Sequence, residues 1–233
     1  MRFLLLTYLV LLTFCAVQGQ DTINRLDAGR KKEGFWRKKD TAGATVYEGR
    51  FRNGVPEGEF RYFYPGGQLK TVLRYSENGR RASSVSYFTN GRKMAAGNYL
   101  DEKKDSIWQF FSEFDGSLVA EEEFRAGNRN GVSKVLFIEG GISEMTTYRD
   151  GVRDGAWEQY FTDGKPKLKG TFRNGEKDGQ FRAWHVTGQL MVTGQYVNGH
   201  QEGTWAWFDE KGNLLRKEVY RAGLLQSTEP APK

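Results

Sequence analysis

The sequence is short of the groups on which enzymatic and metal chemistry rests. Its 233 residues include one cysteine and two histidines. A zinc site takes three or four Cys, His or carboxylate ligands at workable spacing, and His185 and His200 do not supply them. No GxSxG elbow marks a nucleophilic serine, so neither catalytic nor metal-binding residues are assigned and no cofactor is implied. Long apolar runs are scarce too. The run from Phe3 to Phe14 is shorter than the roughly 20 residues that span a bilayer, and none follows it. Prolines number 5 against 29 glycines, with 14% aromatic residues, a composition that suits short strands and tight turns better than helices.

The opening stretch MRFLLLTYLVLLTFCAVQG has a basic start, an apolar middle and small residues spaced for cleavage, so residues 1–19 are expected to be a signal peptide of an exported chain. Export implies a periplasmic, envelope-associated or extracellular location. Lipid attachment at Cys15 is the lesser alternative, because Phe14 stands where that processing wants a small residue. Cleavage would remove the sole cysteine, leaving stability to packing and backbone pairing. The formal charge of +6 is a small excess over interleaved acids and bases, such as Arg153 with Asp154, and argues against nucleic acid as a partner.

What the chain has in abundance is order at long range. Glycines recur at 43, 67, 91, 116, 140, 164, 188 and 212, a step of 24 residues with a single 25. Eight residues after each stands an aromatic: Phe51, Tyr75, Tyr99, Phe124, Tyr148, Phe172, Tyr196 and Tyr220. A third marker, mostly seven residues before the glycine, holds Trp36, Phe60, Trp157, Phe181 and Trp205. There, Trp108 sits one residue early, which places the extra residue in the turn SEFDG, and Ser84 and Ser133 replace the aromatic.

Within a unit the period is two. Leu190, Val192, Gly194 and Tyr196 share one strand face and Met191, Thr193 and Gln195 the other, so one face is expected to be buried. Small residues two before the aromatic, as at Gly49, Gly97, Gly170 and Gly194, are expected to make room for a large ring from a paired strand. TDGK at 162–165 reverses the chain within a unit, and RNGEKDG at 173–179 reverses it between units. The fold class that follows is all-β: eight tandem 24-residue β-hairpins over residues 31–223, forming one elongated antiparallel meander of about sixteen strands, on the order of 70 Å long at about 4.8 Å per strand. Residues 20–30 are expected to be a flexible segment and residues 224–233 a disordered tail. The charges Arg37, Lys38 and Lys39 in the first strand and Arg216, Lys217 and Glu218 in the last would then discourage edge-to-edge association.

The units DGAWEQYFTDGKPKLKGTFRNG at 154–175, DGQFRAWHVTGQLMVTGQYVNG at 178–199 and EGTWAWFDEKGNLLRKEVYRAG at 202–223 resemble the MORN-type repeat, in the variant class similar to YwqK-type antitoxins. The resemblance extends from about Lys31 to Gly223. It implies a β-hairpin array with roles in protein contact, membrane or lipid association, or toxin neutralisation. A secreted chain departs from what a cytoplasmic antitoxin needs.

Aromatics offer the main functional lead. Trp157 and Tyr160 differ by three positions and are expected on opposite faces, so one buried face cannot hold every ring. Trp157, Tyr160, Trp184, Trp205 and Trp207, with Lys167 and Lys169 on the polar face, are the candidate binding residues, an exposed aromatic and basic stripe for a protein partner. Anionic lipid or an envelope polymer is the alternative ligand. His185 reads as a substitute for the aromatic found at Tyr64 and Phe161. Glu121, Glu122 and Glu123 read as a solvated run, and Asp154, Asp178 and Glu202 as Asx-type turn residues.

Overall fold

The structure is a computed structural model and describes residues 23–231; the signal-peptide reading for residues 1–19, with Cys15, lies outside the described residues. Among the described residues there are nineteen strands and no helix, and consecutive strands pair antiparallel, except that Glu176–Lys177 and Gly179–Trp184 both pair with Pro166–Arg173. No ladder joins the last strand to the first, so the sheet is open. Strands that pack closely are neighbours in the sheet, so each unit is held by the units on either side.

The sixteen expected strands are present. One of them is interrupted at Asp178 into Glu176–Lys177 and Gly179–Trp184, and two flanking strands, Arg25–Leu26 and Leu224–Pro230, are added. Both additions correct the reading of the ends. Leu224–Pro230 does not trail off as a disordered tail: the turn at Ala222 and Gly223, both at positive φ, carries the chain back along Leu214–Arg221. In the segment 20–30 expected to be flexible, Arg25–Leu26 pairs with Lys32–Glu33. Asn24 then stands in for more strand, its side chain accepting from Arg37 N and donating to Arg37 O at 2.8 and 3.1 Å. The charged run Arg216–Glu218 read as a sheet edge is therefore paired with the end segment, and Arg37 of the first run is bonded to Asn24.

All eight marker glycines share one conformation, with φ between +80° and +91°. In a typical unit Phe161 N donates to Lys165 O and Gly164 N to Phe161 O, both at 2.9 Å. This is a tight turn closed by a left-handed residue, which glycine adopts without the steric cost a side chain adds. Asp163 Oδ1 accepts from Lys165 N at 3.0 Å and steadies the loop. The turn at Gly116 is one residue longer, with Gly116 N reaching back to Ser112 O, so the insertion lies where the spacing put it.

Between units, only the first half of RNGEKDG is a reversal. Asn174 and Gly175, at φ 50° and 91°, make a two-residue turn. The second glycine lies inside the returning strand. Gly58, Gly155, Gly179 and Gly203 all have positive φ at or beside a register shift, so the slot houses a β-bulge. In the ladder between Leu190–Val197 and His200–Phe208, Thr193 pairs Ala206 while Gln195 pairs Glu202, so one residue faces three.

The bulge serves the core. A Cβ built on Gly49 would lie 2.4 Å from the Phe60 ring, one on Gly97 2.3 Å from Trp108, and one on Gly194 2.2 Å from Trp205. Each large ring lies over the glycine of the preceding strand, filling the space the sequence left empty. Phe60, Trp108 and Trp205 are among the most buried side chains, wrapped by edge-on neighbours: Tyr99 is 5.0 Å from Trp108, and Tyr196 is 5.0 Å from Trp205.

Inter-unit turns also stack. Gly175 N donates to Arg153 O, Gly199 N to Lys177 O and Gly223 N to Gln201 O, at 2.8, 2.8 and 2.9 Å. The carboxylates expected to cap their own turns brace the next one instead: Glu202 accepts from Ala222 N at 2.7 Å and Asp154 from Asn174 N at 3.4 Å. Asp178 pairs with Arg173 at 3.1 Å.

Candidate functional site

The rings divide into a buried row and a partly open groove. Trp205 is 2% exposed, locked among Phe181, Tyr196 and Tyr220, so it is a core residue and not part of an exposed stripe. The spacing that placed it on an aromatic face could not show that Gly194 lets it sink to the sheet backbone. Trp157 is half-buried, packing on Phe172 at 5.3 Å and Phe181 at 6.4 Å.

Around Trp205 lies the groove, about 580 Å³, walled by Phe161, Leu168, Phe181, Trp184, Tyr196 and Trp207, with Lys167, His185 and Gln201 among its polar edges. Four consecutive long strands of the last three units build it. The structure thus brings together Lys167, Trp184, Trp205 and Trp207 of the expected set. Tyr160 and Lys169 stand apart on the opposite face: Tyr160 donates to Glu158 at 2.5 Å, and Lys169 pairs with the same carboxylate at 3.1 Å. These bonds hold the Glu158 carboxyl below its usual range, the Tyr160 hydroxyl first among the causes, and push the Tyr160 phenol up to about 12.

Beside the groove, Trp207 Nε1 donates to Glu218 at 2.8 Å, Tyr220 donates to the same oxygen at 3.0 Å, and Arg216 donates to the other at 2.7 Å. Arg216 also lies 4.7 Å from the Trp207 ring. With three donors on one carboxylate, Arg216 foremost, Glu218 is kept ionised below the ordinary range and Trp207 is held in one orientation. His185 Nε2 lies 3.0 Å from Phe208 O, as the Tyr64 hydroxyl lies 2.8 Å from Tyr87 O in an earlier unit, so both side chains stitch neighbouring hairpins.

A feature the sequence reading passed over is a row of cations on the rings. Lys32, Lys104, Arg129, Arg153 and Lys177 each fall four residues before the third marker position. Lys104 lies 4.5 Å from the Trp108 ring, Arg153 5.2 Å from Phe172, and Lys177 5.1 Å from both Trp157 and Tyr196. Burial pulls Lys104 below the usual ammonium value. The fixed offset was a legible signal. The acidic run, by contrast, is locally engaged: Glu121 lies 3.5 Å from Lys134 and Glu122 2.6 Å from Arg129. Among the described residues no three His, Cys, Asp or Glu side chains converge as metal ligands do.

Three segments, residues 56–77, 153–174 and 201–222, match the MORN repeat variant family. The second and third contribute strands to the groove. No curated protein matches the chain. Among solved structures, a mutant of S. aureus TarM is 12% identical, with a TM-score of 0.32 over 42% of this chain and 19% of that one. A TcdB2-TccC3-Cdc42 structure is 8% identical, with a TM-score of 0.22 over 85% of this chain and 12% of that one. The chain thus spans a fifth or less of those proteins, and likenesses at these scores carry no argument about function.

Proposed function

We propose that the chain is an exported, non-enzymatic repeat protein whose sheet presents a binding surface to a protein partner. The observation that carries this reading is the aromatic groove beside Trp207: Phe60, Trp108 and Trp205 are sunk in the sheet, whereas here an apolar cavity of about 580 Å³ stays open. Trp184 and Trp207 have the character of interface anchors, rigid and with a polar edge. The MORN-type repeats add weight, since such arrays serve as protein- or membrane-binding surfaces.

Crosslinking in the native envelope, comparing wild type with Trp207→Ala, tests the reading. A defined partner lost in the variant supports it, and recovery of none from the wild type removes it. A peripheral role on anionic lipid or envelope polymer is the second reading and is favoured less, because Lys169 and Lys165 are already paired with Glu158 and Asp163 at 3.1 and 2.8 Å. A YwqK-like neutralisation of a toxin would require a toxin gene beside this one.

A further inference from the structure

Among the described residues the most exposed large apolar side chain is Phe114, at 87%. It stands in SEFDG, the one marker turn with an inserted residue, flanked by the exposed acids Glu113 and Asp115. This turn is braced. Arg92 donates to Glu113 O at 2.9 Å and also to Phe114 O, Asn90 donates to Glu113 O at 3.2 Å, and Asp115 accepts from Ser117 N at 3.0 Å. An aromatic held out on a rigid, acid-flanked turn has the form of an anchor without its pocket.

A pocket of matching chemistry exists on the same chain. The groove is aromatic and has Lys167 in its wall, exposed to solvent. The Phe114 hairpin and the nearest groove strand, Pro166–Arg173, are separated by four strand spacings of one continuous sheet, about 20 Å, so Phe114 does not reach its own groove. The Phe114 turn and one end of the groove, bordered by Phe161, His185 and Val186, both lie at the within-unit turns. A two-fold axis would therefore satisfy both contacts at once.

We infer that the occupant of the groove is a second copy of this chain, docked reciprocally with Phe114 in the aromatic cavity and Glu113 and Asp115 beside Lys167. This rests on the reading of the groove as a binding surface. Sedimentation velocity over rising concentration of the chain from residue 20 onward tests it. The expected result is a monomer–dimer equilibrium that Phe114→Ala and, separately, Lys167→Glu each weaken by about thirtyfold or more, as loss of an interface anchor does. Both variants should keep wild-type circular dichroism, since both side chains are exposed. Glu113→Lys combined with Lys167→Glu should restore association. A wild type that stays monomeric, or a dimer indifferent to Phe114→Ala, overturns the inference. If such a protein still loses its crosslinked partner on Trp207→Ala, the groove remains a binding site for another protein; if that partner too is absent, the broader reading falls with it.

Discussion

Consider two junctions between neighbouring hairpins. Where the seventh unit meets the eighth, Gly194 faces Trp205, the turn is the two-residue Asn198–Gly199, and the returning strand is bulged near Gly203. Where the second meets the third, the same positions hold Leu73 and Ser84, the loop runs over the four residues between Ser76 and Arg81, and the ladder has no register shift. In both, nine residues separate the ring of one strand (Tyr196, Tyr75) from the next marker position (Trp205, Ser84). The chain length is therefore conserved while two residues move between bulge and loop. A ring that sinks to the sheet backbone has a bare glycine facing it, whereas a leucine fills the space from its own strand. Glu122 with Ser133 follows the leucine pattern in side-chain size but keeps the register shift, and Thr146 with Trp157 has the shift without the glycine, so there the tryptophan stays half-buried.

Breaking the eighth unit's solution should have the largest effect. Trp205→Ala is expected to cost about 3–5 kcal/mol as the ring's space is left empty, read by urea unfolding, with hydrogen exchange showing the loosening confined to the last units. Gly194→Ala should cost about 1–3 kcal/mol by overpacking. Gly170→Ala should cost less, since the nearest ring atoms to its Cβ, on Phe181 and Trp157, lie at 3.4 Å. Transplanting the leucine pattern as Gly194→Leu with Trp205→Ser sharpens the comparison. The double variant should be more stable than the sum of the two single losses predicts, by about 1 kcal/mol or more, and additive losses would show that the pairing is coincidental.

Smaller effects probe the turns. Gly164→Ala meets no neighbour within 4 Å but is held at φ +82°, so a loss of about 1 kcal/mol would be purely conformational. Glu202→Ala frees the Ala222 amide and should cost about 1 kcal/mol or less. Tyr160→Phe on the opposite face should have the least effect, and its pH dependence identifies it. Glu158 has a lowered pKa, so its contribution is present above the ordinary 4.5 and is lost as pH falls through the folded value. Tyr160 is raised, so its share is complete below 10 and is lost as pH rises through about 12. The gap between wild type and Tyr160→Phe should be widest between these limits and close outside them, as thermal unfolding across pH would show.

Much of this was legible before the structure. The hairpins, the marker glycines, the long turn before Gly116 and the room left at Gly194 all follow from spacing, because a strand's side chains alternate strictly and a tight turn takes glycine at one place. The candidate site was only half legible. Trp184, Trp207 and Lys167 reach one groove, whereas Tyr160 and Lys169 lie on the far face and Trp205 is buried. Alternation assigns a face but not a depth, and the bulge at Gly179, which RNGEKDG at 173–179 had suggested was part of a turn, alters which residues meet.

By itself the sequence determined the period, the chain reversals and the two-faced strand, since each depends on contacts a few residues apart or on a repeat of fixed length. Tertiary structure alone decided which second glycine is a bulge, which tryptophan sinks and which stays open, and how the two ends are covered. Those outcomes depend on the volume of a side chain on the adjoining strand, and that neighbour becomes a neighbour only once the sheet has formed.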